Sequence, residues 1–209
     1  MDAGLLGFIG TLVAAGGLYF TAISYREGQK WKRAELARQL VERLSTDDEL
    51  AFCTRALDWG IGPLVIPQKH RPLFPDDRIV MEHDLDVLRD ALHPGLLPGW
   101  REPEALTYRH SFDAFFTYLL RVADQVTSEH VSKEQLVGLD YYLDLVARPL
   151  YLAPKDDGEG KGTSDGAEPG FRPFVERYYP NLTSFIWSDR RHRIEGNQPS
   201  AAPESLPAR

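Results

Sequence analysis

The chain has 209 residues, 43% of them apolar and 26% charged, a balance that excludes wholesale disorder and suits one folded domain of ordinary size. A net charge of −7, with basic clusters only at the two ends of the main body, argues against nucleic acid as a partner, because nucleic-acid binders neutralise phosphates with basic stripes. Cys53 is the single cysteine, which excludes an intramolecular disulfide and fits a reducing compartment.

The stretch from Gly4 to Ser24 holds no charged residue. As a helix it would cover roughly 30 Å, the thickness of a hydrocarbon core, so residues 1–25 are predicted to form a transmembrane anchor in a lipid bilayer. Tyr19 and Tyr25 suit the headgroup level, and Arg26, Lys30, Lys32, Arg33 and Arg38 follow at once. The other flank offers Asp2 and a terminal amine, so the positive-inside rule places the N-terminus outside and the rest of the chain in the cytosol. A cleaved secretory signal would carry its charges before the apolar run. A core helix so rich in glycine would be weak in water, where each glycine costs about 1 kcal/mol relative to alanine. Ala3, Gly7, Gly10, Ala14, Gly17 and Thr21 alternate in steps of four and three, marking one helix face where a second copy or a partner helix can approach closely.

Residues 26–195 are expected to form a cytosolic helical domain. Gln29 to Leu44 reads as a helix with Leu36, Ala37, Leu40, Val41 and Leu44 on one face, and the anchor helix is expected to run into it. Ser45 and Thr46 then stop that helix, and Thr46 with Glu49 offers a capping box for a second one ending at Gly60, giving a hairpin. Leu50, Cys53 and Leu57 recur at helical spacing, so Cys53 reads as a small core residue instead of a nucleophile. Residues 60–78 carry Pro63, Pro67, Pro72 and Pro75 and read as an ordered loop lying over the helices. A short helix is predicted from Met81 to Leu92, and the main core helix from Pro103 to Ser128, whose stripe includes Phe112, Phe115, Phe116 and Leu119. Ser132 and Gln135 form a second capping box for a helix from Lys133 to Ala147, an antiparallel neighbour of the long one. Residues 155–170 read as a flexible glycine-rich insertion, Leu182 to Trp187 as a last helix, and 196–209 as a disordered tail. The fold class expected is all-α, an N-terminal transmembrane helix followed by a small multi-helix bundle.

Chemistry-bearing patterns are few, and none signals a cofactor. Gly160-Lys161-Gly162-Thr163 resembles a phosphate loop but separates its lysine from the threonine. His83-Asp84, with His70 upstream and Asp86 or Asp90 downstream, has the residue types of a helical metal-dependent phosphohydrolase. The plain alternative is an acidic helix start at Glu82, Asp84 and Asp86. His110 and Asp113 lie one turn apart, which usually means a side-chain hydrogen bond. The aromatics between Tyr141 and Trp187 outnumber what a small core obviously needs, and any left exposed would mark a docking patch. The function expected is a membrane-anchored module for protein interaction or sensing, able to self-associate and to bind a cytosolic protein. The alternative is a membrane-tethered hydrolase with a divalent metal at His83 and Asp84.

Four short stretches occur in a familiar order: Trp31-Lys32-Arg33-Ala34-Glu35 after the apolar run, Leu57-Asp58-Trp59-Gly60, Phe112-Asp113-x-Phe115, and the aromatic segment Phe174 to Tyr178. In these the chain resembles a group of uncharacterised bacterial single-span membrane proteins with a cytosolic helical domain of unknown function. The resemblance implies a bacterial cytoplasmic membrane and supplies no reaction. The glycine-rich insertion departs from the group's pattern.

Overall fold

The computed structural model describes residues 3–59, 62–95, 99–148 and 171–187, with side chains from Gly16 onward. The insertion expected at 155–170, the tail expected at 196–209 and the stop at Gly60 lie outside the described residues. The protein is mostly helical, in keeping with the all-α expectation.

Helix α1 runs unbroken for 44 residues, Ala3–Thr46, so the uncharged stretch and the amphipathic stretch after it are one rod. Among the described residues, whose side chains begin at Gly16, no helix is long and apolar enough to cross a membrane. The uncharged stretch begins at Gly4, and the side chains of its residues 4–15 lie outside those described. Only the end of α1 enters the core: Ala37 and Leu44 are buried, with Leu36, Leu40 and Val41 packed beside them.

Helix α2 (Asp48–Asp58) turns back against α1. Its cap is Asp47, not the expected Thr46: an Asp47 carboxylate oxygen accepts from the amides of Glu49 (3.1 Å) and Leu50 (3.3 Å). The Thr46 hydroxyl bonds back to the Glu42 carbonyl inside the last turn of α1 and is not available for capping. Leu50, Cys53 and Leu57 are buried as the periodicity predicts, and Phe52 and Ala56 are buried with them.

The proline-rich region is more regular than expected. Strands β1 (Pro63–Val65) and β2 (Val80–Glu82) pair antiparallel, with Leu64 opposite Met81 and both buried, while Val65 and Val80 face out. Between them Gln68–Leu73 forms a 3-10 turn. The helix expected from Met81 therefore starts later, as α3 (Leu85–Ala91), because Asp84 is extended and accepts from the amides of Asp86 and Val87.

Helix α4 (Pro103–Thr127) is the centre of the core, as predicted, with Pro103 in its first turn where a missing N–H costs nothing. Tyr108, Phe112, Phe115, Phe116, Leu119 and Val122 are fully enclosed on its inner face. The Tyr118 hydroxyl donates to the Leu40 carbonyl, tying α4 to α1, and burial pushes that phenol up to about 12. Ser132 and Gln135 do make a capping box, but over a 3-10 turn (Lys133–Gln135), and α5 (Val137–Ala147) begins after it. That turn redirects the chain, so α5 packs chiefly on α2 and α7 and not as the neighbour of α4 that was expected. Gly138 lets α5 approach α1, since a Cβ there would stand 2.9 Å from Val41 Cγ1. Helices α6 (Arg172–Tyr178) and α7 (Pro180–Trp187) close the core. Phe171 and Phe174 stack into the Phe112–Phe116 cluster.

Candidate functional site

Two regions stand apart from plain core packing: the part of α1 that leaves the domain, and a polar cleft at the α1–α2 corner. On α1, Leu18 is 74% exposed, Phe20 71% and Trp31 77%, with Tyr19 and Tyr25 also open. Side chains of this size gain roughly 1.5–3 kcal/mol each on leaving water, so an isolated helix bearing them calls for an apolar covering. Of the small-residue face, Gly17 and Thr21 are described; Gly7, Gly10 and Ala14 lie outside the described side chains. The Thr21 hydroxyl is satisfied by the Gly17 carbonyl at 2.8 Å, and a Cβ on Gly17 would meet nothing within 4 Å.

The charges on α1 change character along its length. Arg38 pairs with Glu35 at 2.8 Å and Glu42 at 3.1 Å, and its guanidinium holds the Glu35 carboxyl at about 2. Arg43 pairs with Asp47 at 3.8 Å. Arg26, Lys30, Lys32 and Arg33 are exposed and make no ion pair among the described residues.

The cleft has a volume of 360 Å³ and lies between the α1–α2 corner, the 3-10 turn and α4. Glu49 is its pivot: the carboxylate takes Lys69 Nζ at 2.5 Å and His70 Nε2 at 3.0 Å. His70 is buried, and desolvation pushes its pKa down more than Glu49 pulls it up, so the ring is neutral and donates from Nε2. His110 faces His70 with ring centroids 5.6 Å apart. From His110 the polar face of α4 continues through Asp113, Thr117 and Arg121 along the cleft. Asp113 does not bond His110 as its spacing suggested; it accepts the Tyr179 hydroxyl at 3.1 Å and lies 3.7 Å from Arg109 Nε. The cations Arg43, Lys69 and Arg121 are matched by Asp47, Glu49 and Asp113, which makes this a neutral, solvated cleft. Chain-local spacing singled out His70, His110 and Asp113 but did not join them to one another or to Arg43, Lys69 and Arg121, because the cleft joins residues far apart in sequence.

The metal candidates are drawn into structural roles. Asp84 caps α3, and His83 is buried with Nδ1 2.6 Å from the Tyr108 hydroxyl. That hydroxyl also accepts from the Asp84 amide at 3.2 Å, so it donates its one proton to Nδ1, which accepts, and Nε2 carries the ring N–H. Nε2 is turned toward the Ala56 carbonyl without a hydrogen bond of good geometry. Among the described residues no three His, Cys, Asp or Glu side chains converge as a metal would require. Cys53 is fully buried and its thiol is pushed well up by desolvation.

Burial also pushes His83 down, Asp84 and Ala56 opposing it less strongly. For both His70 and His83 the folded pKa lies below an unfolded value near 6.5, so the unfolded chain binds protons first. Their stabilising effect is full above about pH 6.5 and is lost as pH falls through the folded pKa. The urea midpoint of the purified chain should therefore fall between about pH 7.5 and pH 5, and fall less in His83→Gln. An equal midpoint at both pH values would contradict this.

Of the late aromatics, Phe171, Phe174 and Trp187 are buried, while Tyr142, Tyr179 and Phe185 are half-buried against the core. Tyr141 is 50% exposed, Trp59 46% and Val137 73%, and Asp58, at the end of α2, bonds the hydroxyls of Tyr141 and Tyr142 from α5. No protein-family model matches the chain, and neither a curated protein nor a solved structure matches it.

Proposed function

We propose that this chain is a single-pass membrane-anchored module whose helical domain faces the cytosol and binds a protein partner there. One observation carries the reading. Helix α1 is continuous from Ala3 to Thr46, rooted in the domain core at Ala37 and Leu44, and leaves it bearing open Leu18, Tyr19 and Phe20. A rod so attached cannot hide those side chains against its own domain, and with the uncharged residues before them they match a hydrocarbon core. The cations from Arg26 to Arg33 follow that stretch at once, which by the positive-inside rule supports a cytosolic domain. Exposed Trp59, Val137 and Tyr141 support a docking role for the domain, since such residues dominate binding hot spots. The resemblance to bacterial single-span proteins supports a bacterial cytoplasmic membrane and rests on the short motifs quoted for it.

Alkaline carbonate extraction of membranes from expressing bacteria tests the anchor: the chain is expected in the pellet with integral proteins, and its release would end this reading. A second copy is the proposed occupant of the small-residue face, because Gly17 has open space for a larger side chain within one chain. Gly17→Leu should leave the domain folded and abolish crosslinked dimers in membranes; undiminished crosslinking would remove the dimer.

A further inference from the structure

We infer that the collar from Tyr25 to Arg33 is a binding surface for anionic phospholipid headgroups, gathered on the side of α1 that faces the domain; this rests on the anchor proposed above. The first support is the change in ion pairing. Within the domain α1 answers its arginines with carboxylates, Arg38 with Glu35 and Glu42, and Arg43 with Asp47. Below it, Arg26, Lys30, Lys32 and Arg33 have only Glu27 for company and pair with nothing among the described residues. Residues 26–33 carry +3 in a chain of net −7, so the remainder carries −10. An acidic body on a basic neck is a charge arrangement that complements an anionic surface only at the neck.

Direction is the second support. At about 100° per residue, Arg26, Lys30 and Arg33 lie within about 60° of one another, on the line of the buried Ala37 and Leu44. The same side of the rod that carries the domain therefore carries the three cations beneath it. Height is the third. Arg33 stands about 14 Å above Ser24 along the helix, over a headgroup layer about 6 Å deep. Its own side chain and a Debye length of about 8 Å bring it within reach of the phosphates, and Arg26 and Lys30 lie closer. Tyr25 and the exposed Trp31 provide amphipathic rings at the same level.

The test is the full chain reconstituted in phosphatidylcholine vesicles carrying trace spin-labelled phosphatidylglycerol or spin-labelled phosphatidylcholine, with the motionally restricted fraction read by electron paramagnetic resonance. Phosphatidylglycerol should associate about fivefold more strongly at low salt, the ratio one cation near a surface provides. The preference should vanish at about 1 M salt, where the Debye length is about 3 Å, and in the triple variant Arg26→Gln, Lys30→Gln, Arg33→Gln, in which Glu27 offsets the remaining Lys32 and residues 26–33 carry no net charge. Glu27→Gln should raise it. Equal association of the two lipids, or a preference the triple variant keeps, overturns the inference while leaving the anchor intact. Release of the chain from the same vesicles by carbonate overturns the anchor and this inference together.

Discussion

Val13→Arg is expected to move the chain out of the carbonate-resistant membrane fraction. Residues Gly4 to Ser24 contain nine strongly apolar side chains, Leu5, Leu6, Phe8, Ile9, Leu12, Val13, Leu18, Phe20 and Ile23. At about −0.3 to −0.6 kcal/mol each near the centre they favour insertion by only a few kcal/mol before the glycines and hydroxyls are counted. An arginine next to the midpoint costs about 2.5–3.5 kcal/mol, a shift on the order of a hundredfold and comparable to the whole driving force. Val13 borders the Gly10–Ala14–Gly17 face, about 40° round the helix from Gly17, so the readout is insertion itself and not the crosslinked dimer. The measurement is the pellet-to-supernatant ratio after extraction, with Val13→Leu as the control that should stay in the pellet. Full retention of the arginine variant would mean that this segment is not held by a hydrocarbon interior.

Phe116→Ala should be the most damaging single change in the domain. Its ring is fully enclosed and touches five others: Phe112 (6.0 Å), Phe115 (5.7 Å), Phe171 (6.2 Å), Phe174 (5.8 Å) and Tyr179 (5.6 Å). These contacts join α4 to α6 and to the start of α7, so the cavity left by truncation would open where three elements meet. Losing such a buried ring together with its contacts costs about 3–5 kcal/mol, a third or more of an ordinary domain's stability of about 5–15 kcal/mol. With a urea slope of about 1–3 kcal/mol per molar, the midpoint should drop by about 2 M. A drop below about 0.3 M would mean that the aromatic cluster is not the core.

What the sequence made legible follows from how far each signal extends along the chain. Helix α4 shows its apolar residues at helical spacing over 25 residues behind a first-turn proline, and its ends and the Phe112, Phe115, Phe116 and Leu119 part of its buried face are where that pattern puts them, while the buried Thr107, Tyr108, Ser111 and Tyr118 were not in it. Cys53 sits between Leu50 and Leu57 at the same spacing and is buried with them. The ribbon was not legible, because each strand is three residues long and shows one buried side chain, Leu64 or Met81, too little for a period of two to stand out. Thr46 and Asp47 are both good caps, and only the bond of Thr46 back to Glu42 decides between them. His110 and Asp113 were visible as a polar pair on α4. Their partners at Arg43, Glu49 and Lys69 were not, since it takes the turn from α1 into α2 and the 3-10 segment to bring them there.

The buried, unreactive Cys53 leaves the folded chain without an accessible thiol among the described residues, which makes sidedness directly measurable. Asp124, exposed on α4, can be replaced by cysteine and challenged with a membrane-impermeant maleimide in intact bacteria. Asp124→Cys should stay unlabelled until the cells are permeabilised, while the chain remains in the membrane pellet. Labelling in intact cells, or recovery of the chain in the soluble fraction, would contradict a cytosolic domain held by a membrane-spanning α1.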